Sequence, residues 1–137
     1  MIRKDYFLRL VEEFAKMLAA IVGLKSEGKY DEALKKINIA YEGLLTLNPV
    51  VIKSIGPDEV IYFLTREKHM NNQKLKLAAE LMFEEGLIYT ELGDPVSARN
   101  LLEKAKVVID HLISHDTTFS FDWYEKIEKI DLIIGSE

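Results

Sequence analysis

GKYDEALKKINIAYEGLLTL (residues 28–47) and GDPVSARNLLEKAKVVIDHL (residues 93–112) repeat one pattern 65 positions apart. Gly28, Ala33, Ile37, Ala40 and Leu44 in the first fall opposite Gly93, Ala98, Leu102, Ala105 and Ile109 in the second. A turn glycine is followed by a helix whose small residues recur where another helix must lie close, which is the pattern of stacked helical hairpins. The fold class this predicts is all-α, a single domain of stacked antiparallel hairpins with about six helices over residues 1–137.

Working outward, Phe7, Leu10, Val11, Phe14, Met17, Leu18 and Ile21 recur at three and four and predict a long amphipathic helix from Ile2 to Ser26. Gly28 ends it. Tyr30, Ala33, Leu34, Ile37, Ala40, Tyr41, Leu44 and Leu45 form the stripe of a second helix, closed by Asn48-Pro49 because a residue before proline is pushed out of the helical region. Pro57, with Asp58 and Glu59 at the positive end of the dipole, is expected to open a third helix through Lys68. A fourth, from Asn72 to Leu92, is nearly encircled by apolar side chains and should be central, leaving mainly Lys76, Glu80, Glu84 and Glu91 for solvent. Gly93, Asp94 and Pro95 stop that helix and start a fifth, ending near Ser114. Ser120 is expected to cap a sixth, with Phe119 and Tyr124 as a hydrophobic staple and Trp123, Ile127, Ile130 and Ile134 along one face. No segment alternates with period two long enough to demand a strand.

An apolar fraction of 48% with 30% charged residues is that of a globular domain, and 137 residues can bury a core without staples. Cysteine is absent, which excludes disulfides, thiolate ligands and a cysteine nucleophile. The first residues are charged and the run from Met17 to Leu24 is too short to span a bilayer, so no membrane partner and a cytoplasmic location are expected. A net charge of −5 without a basic cluster argues against nucleic acid, since Glu67 interrupts Arg66 to His69.

Gly86 and Tyr89 before Gly93, then Ala98, Leu102 and Ala105 after it, stand at the spacing of a tetratricopeptide repeat, and the second hairpin resembles that family. The first hairpin keeps Gly28, Tyr30, Ala33 and Ala40, with Ile21 in place of the first-helix small residue and Leu24 in place of the aromatic. The opening Met-Ile-Arg-Lys-Asp-Tyr, with Leu8, Arg9 and Glu12, also resembles a small uncharacterised bacterial family with a repeat-like body, a likeness that brings no activity with it. The repeat resemblance implies that the first helix of each hairpin lines an inner groove for a protein or peptide, placing Leu18, Val22 and Lys25 near Glu80, Phe83, Leu87 and Thr90. The last helix could instead fill that groove or cap the stack. If it formed an outer layer, Trp123, Ile130, Leu132, Ile133 and Ile134 would offer a surface for self-association, giving a homodimer.

The candidates for chemistry are thin. Gly23 to Lys29 mimics a phosphate-binding loop, but Tyr30 stands where a magnesium-binding hydroxyl is required and no strand precedes it. His111 and His115, four apart beside Asp110 and Asp116, are weak candidates for a zinc site. Near a helix C-terminus, histidines more simply answer the last carbonyls. Glu85 lies on the side expected to pack and is expected to pair with Arg9 or Arg99, or to sit at the rim. No cofactor is implied. The expectation is therefore a non-enzymatic interaction domain of adaptor or scaffold type. The alternative is a small-ligand sensor or enzyme with a pocket between the third and fourth helices, lined by Tyr62, His69 and Tyr89.

Overall fold

The computed structural model describes residues 2–115 and 121–135, with side chains from Asp5 to His115 and from Asp122 to Gly135. Phe119 and Ser120, the expected staple and cap of the last helix, lie outside the described residues, as does Asp116. The elements in order are α1 (Ile2–Ser26), α2 (Tyr30–Leu45), α3 (Pro49–Ser54), α4 (Val60–Tyr62, running on as a π-helical turn over Phe63–Glu67), α5 (Asn72–Glu91), α6 (Pro95–His115) and α7 (Phe121–Gly135). The fold is all-α, with no strand among the described residues.

Both hairpins turn by the same backbone device. Gly28 (φ 75°) follows α1, with its N–H donating to Lys25 O at 3.0 Å and that of Lys29 to Leu24 O at 2.9 Å. Gly93 (φ 74°) follows α5, and the matching bonds run from Gly93 to Thr90 O at 3.1 Å and from Asp94 to Tyr89 O at 2.9 Å. Each pair is a Schellman closure, which needs a left-handed residue that glycine supplies without a Cβ clash. Asp94 then caps α6 as expected, accepting from the N–H of Ser97 at 3.1 Å.

Between the hairpins the chain departs from expectation. Asn48 does leave the helical region, but its side chain also accepts from the N–H of Val50 and caps a new helix whose first residue is Pro49. The stop signal is simultaneously a start signal. Pro57 lies in a turn and opens nothing, and the next helix begins only at Val60. The expected third helix is thus shortened to Val60–Glu67, α3 is an additional helix in the stretch expected as a link, and the expected six helices are seven among the described residues.

Packing makes α5 the centre. It lies along α6 and also contacts α2 and α1, while α1 lies on α2, and α4 and α7 both rest on α6. Every residue from Leu81 to Ile88 is buried. The alanines of the repeated pattern, Ala33, Ala40, Ala98 and Ala105, are all buried, as their small size at close helix contacts requires. Where the sequence leaves Glu80 and Glu84 for solvent, the structure half-buries the first and buries the second, because α1 and α7 flank that side of α5.

Candidate functional site

Two features could carry function: a buried ionic knot behind α5 and a trough in front of it. The knot starts from α5. Glu85 is 1% exposed, and its Oε1 accepts from the hydroxyl of Tyr41 on α2 at 3.0 Å. Lys53 at the end of α3 places Nζ 3.3 Å from Oε2 and donates to the Tyr89 hydroxyl at 3.2 Å. That Lys53–Glu85 approach is an ion pair without hydrogen-bond alignment, so Oε2 has no donor of its own. Arg9 and Arg99 are not the partners of Glu85; Arg99 bonds Glu103 at 2.7 Å instead. Burial raises the Glu85 carboxyl above its usual range, against the pull of Lys53, Tyr41 and Lys104. Burial lowers Lys53, but the Glu85 charge and the Tyr89 hydroxyl outweigh it and leave its pKa raised.

Lys104 of α6 is the residue that sequence reasoning missed. It is 1% exposed, and its three donors go to Ile52 O at 2.6 Å, Lys53 O at 3.1 Å and Asn100 Oδ1 at 2.6 Å. Asn100 also donates to Lys53 O at 3.0 Å. A positive charge therefore meets the last carbonyls of α3, where the helix dipole is negative. Burial lowers the Lys104 pKa, and the charge of Glu85 opposes that. A signal was available: Lys104 falls three after Leu101 and four before Val108, on the apolar stripe itself. All three donors of Lys104 are engaged by oxygens of the fold. The knot ties α3 to the α5–α6 hairpin. Outside it a cleft of about 720 Å³ opens between Ile55, Gly56 and Pro57 on one side and Pro95, Val96 and Arg99 on the other.

The trough lies between α1, α5 and α7. Lys25, Tyr30, Leu87, Thr90, Lys129 and Ile133 line a recess of about 460 Å³. Beside it, Phe83, Glu84, Asp122, Glu125 and Lys126 join Lys25, Leu87 and Lys129 around a second recess of about 320 Å³. Lys25 bridges to Glu84 at 2.6 Å, and Lys126 to Glu80 at 3.5 Å. The Lys126 ammonium also stands 5.4 Å from the Phe83 ring centre and 5.5 Å from that of Trp123. The structure thus brings Lys25, Glu80, Phe83, Leu87 and Thr90 to one region. Phe83 and Leu87 are only 6% and 7% exposed, and α7 forms the far wall. Leu18 is half-buried and Val22 is 37% exposed; neither lines these recesses.

The remaining candidates fall apart in space or turn inward. Trp123 and Ile130 are buried, Ile133 and Ile134 half-buried, and Leu132 is 75% exposed. Tyr62 and His69 are exposed, Tyr89 faces Lys53, and none of the three lines the clefts above. His111 and His115 stack with ring centres 4.2 Å apart, and Nδ1 of His115 lies 2.9 Å from His111 O. Burial, then the neighbouring His115, lowers the His111 pKa. Among the described residues, no group of three or more His, Cys, Asp or Glu could hold a metal ion. The loop that mimics a phosphate site is the Schellman turn at Gly28.

Compared with protein-family models, with curated proteins and with solved structures, the chain matches none of them. Among the described residues, no helix is long and apolar enough to cross a membrane.

Proposed function

We propose that this chain is a helical interaction domain of the tetratricopeptide-repeat type, acting in the cytoplasm as an adaptor or scaffold that binds another protein or itself and has no chemistry of its own. The observation that carries this reading is the concave trough: α1, α5 and α7 wall it, and Leu87, Ile133 and Tyr30 give it apolar ground between Lys25 and Lys129. Recesses of this kind suit an extended or helical segment with apolar anchors. The buried ionisable groups Glu84, Glu85 and Lys104 support it too, since each is engaged within the fold.

The test is capture of partners by immobilised protein, comparing wild type with Ile133→Glu and Lys129→Glu. Both variants should keep wild-type helicity and lose the captured proteins. Equal capture by wild type and both folded variants would rule the trough out. A second reading, a small-ligand sensor, is favoured by the 720 Å³ cleft beside Lys104. A metabolite that raises the unfolding temperature of wild type but not of Val96→Trp would favour it over the first.

A further inference from the structure

The apolar stripe of α1 is wider than the face it buries. Leu10, Phe14 and Ile21 are buried against the core, whereas Leu8, Val11, Ala15, Ala19 and Val22 follow one another at three and four and are all exposed. Residues so spaced share one side of a helix. Leu8 is 54% exposed, Val11 44% and Val22 37%, so large apolar groups stand at both ends of the strip with small ones between. Elsewhere, exposed apolar residues stand singly, as Ile39, Val50 and Val96 do, or are parted by charge, as Tyr124 and Leu132 are by Glu128. The α1 strip is long and continuous by comparison.

Its edge charges indicate what covers it. Glu12 and Lys16 flank the strip one turn apart, both exposed, and neither forms an ion pair among the described residues. We propose that a second copy of this chain docks here, α1 against α1, antiparallel about a two-fold axis near Ala15. This names the partner in the self-binding half of the proposed function and rests on that reading. In this register Leu8 meets Val22 of the second copy, Val11 meets Ala19, and the alanines let the two helix axes approach. Glu12 then lies within reach of Lys16 of the second copy, and Lys16 within reach of Glu12, so the edge complements itself.

The test measures the mass of the full chain by sedimentation equilibrium up to about 100 µM, since a dimer shows itself only above its dissociation constant. Wild type should reach twice the mass of one chain. Glu12→Lys and Lys16→Glu should each weaken the dimer by about tenfold or more while keeping wild-type helicity, and the double reversal should restore it. Because the chain has no cysteine, Ala15→Cys gives a clean second readout: it should cross-link under mild oxidation far faster than the exposed control Ser114→Cys. A monomeric wild type at the highest concentration, or a double reversal no stronger than the single variants, overturns the proposal. Capture of a different protein by the trough, lost in Ile133→Glu, would survive that outcome, so the two readings fail separately.

Discussion

Gly86 of α5 and Leu102 of α6 touch where a side chain on residue 86 would have no room. A methyl there would stand 2.5 Å from Leu102 Cδ2 and 2.6 Å from its Cγ, and Leu102 is fully buried. This contact sets how closely the central hairpin closes. Gly86→Ala gains about 1 kcal/mol of helix propensity, but it overfills a tight core at a cost of roughly 1–3 kcal/mol. The expected outcome is a net loss of stability in urea unfolding. A variant more stable than wild type would show that α5 and α6 can move apart freely.

The two hairpin turns allow an internal comparison. Gly28 and Gly93 have nearly equal positive φ and the same pair of closing hydrogen bonds. Neither has an atom within 4 Å of where a Cβ would sit, so only the backbone conformation is at stake. Gly28→Ala and Gly93→Ala should each cost about 1 kcal/mol, within error of one another. Urea midpoints at constant slope check this. A much larger loss at one site would mean the turns are not equivalent.

Lys104 is fixed to the carbonyls of Ile52 and Lys53, so Lys104→Met tests what holds α3. Lys53 O keeps the Asn100 amide as a donor, whereas Ile52 O loses the side chain that satisfied it. An orphaned buried carbonyl costs about 1–3 kcal/mol, offset in part because the buried charge is also removed. Hydrogen exchange should quicken at the α3 amides of Ile52 and Ile55, with the α1–α2 hairpin unchanged. Unaltered exchange at α3 would show that its packing through Ile52 suffices.

What was legible from the residues follows from period and punctuation. Two glycines, two sets of alanines and a three-four spacing place both hairpins, because each reports a local geometric need that packing then repeats. Asn48-Pro49 was legible only by half, since the same pair can end one helix and cap the next and nothing local says which. The ionic knot was hidden for another reason. Charged side chains are normally assigned to solvent, yet Lys104 and Glu85 occupy core positions of their helices and meet partners from α2 and α3, which are far away in the chain. Their position on the stripe was visible, but their partners required the tertiary fold. Val11 shows the converse: it belongs to the apolar stripe of α1 and is 44% exposed, because among the described residues that side of α1 stays open.

Glu85 also gives the fold a pH dependence whose sign can be worked out. Burial raises its pKa in the folded protein above the ordinary value of 4.5, against the attraction of Lys53. Between those two values the folded state binds more protons than the unfolded state, so the contribution of Glu85 to stability grows as pH falls and is lost as pH rises. Glu85→Gln keeps an acceptor for Tyr41 and carries no titrating proton. Relative to this variant, wild type should therefore gain stability as pH falls through the raised folded-state value of Glu85, with the gain complete below the ordinary carboxylate value. Glu80, whose pKa burial also raises, is present in both proteins and cancels from the difference. Urea unfolding of the pair at several pH values measures it. A constant gap would mean that Glu85 titrates in the core as it does in water, and that Lys53 and Tyr41 cancel the effect of its burial.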